Sequence, residues 1–164
     1  NLTPGAQYHV DASALLSPGM SGAAKIVSST TDGLIAQSMF YFRNSAGSIE
    51  GMYGSQSISA NSGVKTSSWN LFLNMQNWLR VFNTTNTAQS VTVTTFLNGA
   101  SAQHTVSLPP KTGTDIGLHN APFNTTPNSF GLMTVSGNGL STEMLRLKNT
   151  GSGGVDFIFP LAVR

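Results

Sequence analysis

Histidines and carboxylates are the side chains from which an active site or a metal site in this chain would have to be built. The histidines are widely separated, and none is paired at the H-x-x-x-H spacing that sets two imidazoles on one metal: His9, His104 and His119. The carboxylates are also dispersed, without the closely spaced acidic run of a calcium loop: Asp11, Asp32, Glu50, Asp115, Glu143 and Asp156. The sequence therefore predicts no bound metal and no other cofactor.

Two sets of residues offer the beginnings of a catalytic site. Gly19-Met20-Ser21-Gly22 is similar to the serine loop of chymotrypsin-like proteases. In that fold, however, the serine follows a complete first barrel, and a turn after Pro18 explains these residues here. Glu50 and Glu143 could act as a glycosidase pair only if the fold brought them into one cleft. Neither set is complete, so the sequence predicts a protein that is not an enzyme.

A covalent crosslink between strands is a further alternative. It would need a buried lysine, an asparagine and a nearby carboxylic acid. Lys25 and Lys148 fall in predicted strands, and Glu143 could be the acid. Exposure to solvent is the default expectation for lysine on a strand.

Aromatic residues and sequons are the remaining candidate sites. Four aromatic residues could form a platform on which sugar rings stack, although such residues more often fill a sandwich core: Trp69, Trp78, Tyr41 and Tyr53. Three Asn-x-Thr sequences match the N-glycan acceptor pattern: Asn1, Asn83 and Asn124.

Composition narrows the class of protein. Charged residues make up 9% of the 164 residues, against about 25% in an ordinary soluble domain. The net charge of +2 comes from scattered basic residues without a basic stripe, so we expect no nucleic-acid partner. The chain has no cysteine and no apolar run near the length of a membrane span. A polar but weakly charged surface is typical of extracellular β-proteins, and the start at Asn1 suggests a processed or excised chain.

Alternation of apolar and polar residues between turn clusters dominates the chain. Val91 and Val93 alternate with Thr92, and Asn98-Gly99 then signals a hairpin turn, as does Asp32-Gly33. The predicted strands are residues 8–12, 23–29, 34–43, 49–58, 90–97, 104–108, 130–136, 140–148 and 155–163. Closely spaced strands of this length predict an all-β antiparallel β-sandwich, immunoglobulin-like or jelly-roll-like.

The segment 69–82 fits two interpretations. Its apolar residues recur at helical spacing: Leu71, Met75, Trp78 and Phe82. It also alternates in the manner of a strand. We favour two strands with a kink near Gln76-Asn77.

The two halves of the chain resemble each other. Residues 11–43 and 115–149 share the order of an acidic residue, an apolar pair, a loop with proline, a strand of small residues, a glycine turn and a long strand. Only the second copy has strands before it, at 78–108. The sequence thus holds about one and a half internal repeat units, which we divide into 1–64, a first sandwich half, and 65–164, a second unit.

The incomplete first half predicts a surface for association. Without partner strands its sheet should present an open edge and an apolar face that includes Ile35, Met39 and Tyr41. Residues 1–6 are a candidate donor arm. The alternative is that the segment 69–82 folds back and completes the first half within one chain.

Several stretches together carry a resemblance to a known class of proteins. They are residues 35–41, Gly51 to Gly54, Trp69, residues 78–83, residues 91–96, Gly99 and Pro109. This pattern resembles the tandem β-sandwich repeats of large secreted surface proteins of bacteria. The resemblance spans most of the chain, implies a sandwich that stacks along an extracellular chain, and supplies no catalytic residues.

We therefore expect a non-catalytic extracellular structural module of a surface protein, stalk or fibre, which assembles head to tail. Its partners would be copies of itself or neighbouring modules. A carbohydrate-binding or adhesion module with glycan partners is the alternative. The two differ in whether Trp69 and Trp78 face a ligand.

Overall fold

The computed structural model describes residues 2–17, 22–31, 33–58 and 60–164, and nearly all of its regular structure is antiparallel β-strand. The strands are β1 (Gln37–Arg43), β2 (Ile49–Gln56), β3 (Asn61–Asn70), β4 (Gln76–Asn83), β5 (Gln89–Leu97), β6 (Ala100–Leu108), β7 (Gly113–Gly117), β8 (Phe130–Asn149) and β9 (Val155–Ala162). The predicted all-β antiparallel, sandwich-like class is confirmed. The immunoglobulin-like and jelly-roll-like types stay predictions.

The long strand β8 belongs to both layers of the sheet. Its first half, up to Gly137, pairs with β3 on one side and β5 on the other, and β6 continues that layer beyond β5. Its second half, from Leu140, pairs with β4 and β9, and β7 continues that layer beyond β4. Gly139 has a φ of +54°, a backbone conformation that favours glycine, and it lies where the strand changes layer. Residues 130–136 and 140–148, predicted as separate strands, thus form one bent strand.

The core fills the space between the two layers. Met133 and Val135 point inward before the bend, and Leu140 and Met144 after it, so the inward side changes from odd to even positions. The β5 prediction is confirmed, since Val91 and Val93 are fully buried and Thr92 between them is not. Other core residues are Trp69, Leu71, Leu79, Val81, Leu108, Ile116, Leu118 and Val163.

The segment 69–82 belongs to two strands, as predicted, but the break between them lies at residues 71–75, before the predicted kink near Gln76-Asn77. β3 ends at Asn70, a short 3-10 turn covers Phe72–Asn74, and β4 begins at Gln76. The buried Asn77 side chain fixes this turn, because its Oδ1 accepts from Asn70 N (2.9 Å) and its Nδ2 donates to Asn70 O (2.5 Å). Both strands pair with β8, so the segment does not complete the first half.

The N-terminal part departs most from the sequence prediction. Residues 8–12 and 23–29 form no strand, and Asp11 instead caps the 3-10 turn Ala12–Ala14 by accepting from Ser13 N (2.9 Å). Every described residue from 2 to 35 is exposed, which includes apolar side chains such as Ile26 and Val27. An alternating sequence becomes a strand only when a neighbouring strand takes its backbone hydrogen bonds. The Asp32-Gly33 turn and the Gly19 to Ser21 loop fall at least partly outside the described residues.

The proposed halves differ in structure. The described residues of 11–43 contain one short 3-10 turn and β1, whereas 115–149 contain the end of β7 and all of β8. The boundary between residues 64 and 65 falls inside β3. The predicted repeat is therefore not visible as repeated secondary structure.

Candidate functional site

The hairpin of β1 and β2 stands apart from the main sheet as a two-stranded sheet of its own. Cross-strand pairs place Phe40 opposite Tyr53 and Tyr41 opposite Met52. Directly opposed residues of an antiparallel pair share a face, so the hairpin has two distinct sides. The side with Phe40 and Tyr53 packs on the outer face of the β4 layer, and the other side points away from the protein.

Arg80 on β4 is a residue of the main sheet that forms a hydrogen bond to the hairpin. Its guanidinium forms a two-pronged ion pair with Asp115 of β7, with Nε to Oδ1 at 3.0 Å and Nη2 to Oδ2 at 3.2 Å. Glu143 of β8 lies on its other side, with Oε2 at 3.8 Å from Nη1. Strand register explains the cluster, because both carboxylates lie directly opposite Arg80 on neighbouring strands. The hydrogen bonds to Asp115 hold the pKa of Arg80 above its usual range.

Tyr53 connects this charged cluster to the hairpin. Arg80 Nη1 donates to the Tyr53 hydroxyl oxygen at 3.2 Å, and the phenol ring stacks on Phe40 with centroids 4.6 Å apart. The same guanidinium lies 5.9 Å from the centroid of the Phe40 ring, within the range of a cation–π interaction. Burial raises the pKa of Tyr53, against the lowering effect of the Arg80 charge.

The outward side of the hairpin is apolar and exposed. It carries Met39, Tyr41 and Met52, with Tyr41 53% exposed, and Ile35 just before β1 is 97% exposed. Gly54 lies opposite Met39, and a Cβ there would come within 2.8 Å of the Met39 sulfur, so the glycine leaves room for that side chain. We call Met39, Tyr41 and Met52 the hairpin face. All three predicted assembly residues, Ile35, Met39 and Tyr41, are thus exposed.

The structure does not bring the four predicted stacking residues onto one surface. Trp69 is only 1% exposed and its Nε1 donates to Leu132 O at 2.9 Å. Tyr53 is buried on the side of the hairpin that faces Arg80. Trp78 is partly exposed on the outer face of β4, where its ring meets His119 edge-on at 4.8 Å. Only Tyr41 offers a largely exposed ring, so the predicted platform is not assembled.

The two described sequons differ in access. Asn83 is fully buried, and its Nδ2 donates to the carbonyl oxygens of Thr87, Leu108 and Pro109 at 2.8, 3.2 and 3.0 Å. A glycan on that nitrogen would break these bonds in a closed space. Asn124 is exposed in the loop after β7. Asn1 lies outside the described residues.

The titratable residues named from the sequence are not brought into a catalytic arrangement. Glu50 is exposed at the β-bulge of the hairpin, whereas Glu143 lies beside Arg80 in the main sheet, and no contact among the described residues joins the two carboxylates. Lys148 pairs with Asp156 at 2.6 Å rather than with Glu143. The described residues contain no group of three or more metal-ligating side chains and no helix long and apolar enough to cross a membrane.

Arg80 and Asp115 were missed as functional residues by the sequence reading. The only signal in the sequence was the charged side chain of Arg80. It lies on the outward-facing side of a strand whose other side is core. Register between distant strands, which the sequence does not display, makes the cluster.

Comparison with known proteins supports the fold alone. No protein-family profile and no curated protein matches the chain. The chain is similar to a solved structure, "Crystal Structure of Thermotoga maritima 1070", with a TM-score of 0.52 and 12% sequence identity, over 63% of this chain and 94% of that one. A match at this identity indicates a shared architecture, consistent with a sandwich-like protein.

Proposed function

We propose that the chain is a non-catalytic structural module of an extracellular surface protein, stalk or fibre, and that it associates with copies of itself or neighbouring modules through the hairpin face. The observation that carries the proposal is this exposed apolar side of β1 and β2. Contiguous exposed apolar surface marks interaction sites in soluble proteins.

The backbone of the hairpin supports the same function. Within the described residues, β1 and β2 pair only with each other. β2 lies against β9, whereas the other edge of β1 has no paired strand. Open edges are templates for strand addition from another chain, and natural proteins usually cover them. The scarcity of charge, at 9% of residues, removes much of the repulsion that blocks such contacts.

Sedimentation velocity over a range of concentrations, together with electron microscopy, tests the proposal. The full chain should form larger species as concentration rises, and Tyr41→Thr with Met52→Thr should abolish them while keeping the same circular dichroism. Threonine preserves strand propensity while it removes the apolar surface. Val64→Thr, at an exposed valine of β3, is the matched control and should associate normally. A full chain that stays monomeric at high concentration would overturn the proposal.

The same experiment also tests the N-terminal residues 1–6 as a donor segment. Residues 3–6 form a turn, with Ala6 N donating to Thr3 O at 3.0 Å, rather than an extended strand. Removal of residues 1–7 should therefore leave association unchanged.

Carbohydrate binding is the second candidate, and one observation favours it: Tyr41 is 53% exposed on the outward side of the hairpin. A glycan array compares the full chain with Tyr41→Ala. Selective binding that disappears in the variant would favour the adhesion function over the structural one.

A further inference from the structure

The layer of β3, β8, β5 and β6 carries a second exposed apolar surface on its outer side. Leu132 of β8 lies directly opposite Phe96 of β5, and Phe130 follows on the same side of β8. Phe72 from the turn after β3 packs against Phe130, with ring centroids 5.9 Å apart. All four side chains are well exposed, and Phe130 reaches 65%. We call Phe72, Phe96, Phe130 and Leu132 the sheet patch.

A shallow depression with a cationic wall adjoins the sheet patch. It has a volume of about 270 Å³, and its lining includes Phe130, Leu132, Ser68 and Arg146. Arg146 Nη2 donates to Ser68 O at 2.8 Å and to Ser68 Oγ at 3.0 Å, whereas its buried Nε has no hydrogen-bond partner in the described structure. The guanidinium places a positive charge beside the apolar depression, and such a charge favours a carboxylate of an incoming chain.

The hairpin face and the sheet patch point in opposite directions. The hairpin lies on the outer side of the β4 layer, where Tyr53 contacts Arg80. The sheet patch lies on the outer side of the facing layer, because Met133 and Val135 beside it point into the core. One chain cannot bring the two surfaces together. Two copies can, and the pair then keeps one free hairpin face and one free sheet patch.

We infer that the hairpin face of one copy docks on the sheet patch of the next copy of this chain, with Glu50 of the first opposite Arg146 of the second. Glu50 is exposed two residues before Met52, and it takes part in none of the ion pairs of the described residues. The contact joins different surfaces, so it does not close on itself and gives an open chain of modules. This inference rests on the proposed self-association and names its second surface.

Two complementary variants test the inference. The hairpin variant is Tyr41→Thr with Met52→Thr, and the patch variant is Phe130→Thr with Leu132→Thr. Each variant alone should be monomeric in sedimentation velocity. Their equimolar mixture should form one-to-one dimers and nothing larger, because only one intact hairpin face and one intact sheet patch can meet. Val64→Thr lies on the same outer side of β3 and should assemble like the unmodified chain.

The charge contact has its own test. Glu50→Gln should weaken association about fivefold at low salt, the size expected for one partly exposed ion pair. The same variant should respond less to added salt than the unmodified chain, since salt screens the lost pair. Unchanged affinity and unchanged salt response would remove Glu50 from the contact.

The outcomes separate the two proposals. A patch variant that assembles like the unmodified chain would overturn the sheet patch as acceptor and leave the proposed function standing, with hairpin faces that meet each other. An unmodified chain that never assembles would overturn both. Circular dichroism and the thermal midpoint of each variant establish that it is folded, and single substitutions at Phe130 or Leu132 replace the double variant if it is not.

Discussion

Arg80 donates a hydrogen bond from Nη1 to the hydroxyl oxygen of Tyr53 over 3.2 Å, and this bond joins the hairpin to the main sheet. Arg80 lies on the outer side of β4, whose inner side is core. The guanidinium also holds carboxylates from two flanking strands. Together with the packing of β2 against β9, this side chain holds the element that carries the hairpin face.

Replacement of Arg80 should loosen the hairpin and destabilise the fold. Arg80→Met removes the cation beside Glu143. That carboxylate is 14% exposed, and its buried Oε1 has no hydrogen bond. We expect a loss of about 1–3 kcal/mol in the free energy of unfolding, measured by urea denaturation. Asp115→Asn, at a carboxylate that is 45% exposed, is the control and should cost less than about 1 kcal/mol. Equal losses in both variants would contradict the role given to Glu143.

Trp69 should act as a core residue and not as a sugar-binding one. It is 1% exposed, so Trp69→Ala should destabilise the protein by about 3–5 kcal/mol, measured by thermal or urea denaturation. Tyr41→Ala, at an exposed ring, should change stability by less than about 0.5 kcal/mol. A stable Trp69→Ala variant with a lost ligand would restore the stacking interpretation.

Glycosylation should discriminate between the two described sequons. In a host with N-glycosylation machinery, mass spectrometry should find Asn124 occupied and Asn83 unoccupied in the folded chain, because the Asn83 amide is buried and already donates three hydrogen bonds. Thr126→Ala removes the Asn124 sequon and should abolish the modification. A glycan on Asn83 would show that this region is modified before it folds.

His119 should make stability depend on pH in the acidic range. Burial lowers the pKa of His119 below its ordinary value of 6.5, outweighing the hydrogen bond to Asn77 O. The unfolded chain therefore takes up a proton near pH 6.5, while the folded chain does so only at lower pH. Stability is fully present above pH 6.5 and declines as pH falls through the folded pKa.

The thermal midpoint at pH 7.5 and pH 5.0 measures this dependence. His119→Gln should flatten the part of the slope due to this residue, and an NMR titration should place the His119 midpoint below 6.5. A midpoint at or above that value would contradict the prediction. Trp78 fluorescence gives a local readout, since its ring lies 4.8 Å from the imidazole.

The sequence by itself determined the local features of the fold. Alternation at β5, the Asn98-Gly99 turn with positive φ at both residues, and the division of 69–82 into two strands all depend on neighbours within a few positions. The exposure of Ile35, Met39 and Tyr41 also followed from the sequence, because no local segment was available to cover them.

Only the tertiary structure decided which alternating segments find partners and which side of each strand is buried. Residues 8–12 alternate as β5 does, yet they form no strand, because pairing depends on distant parts of the chain that the local pattern does not encode. The inward side of β8 changes at Gly137 to Gly139, so Met133 and Met144 both reach the core from positions of opposite parity. The Arg80 cluster arises in the same way: strand register brings together charges that are 35 and 63 residues apart in sequence, and no local pattern records that register.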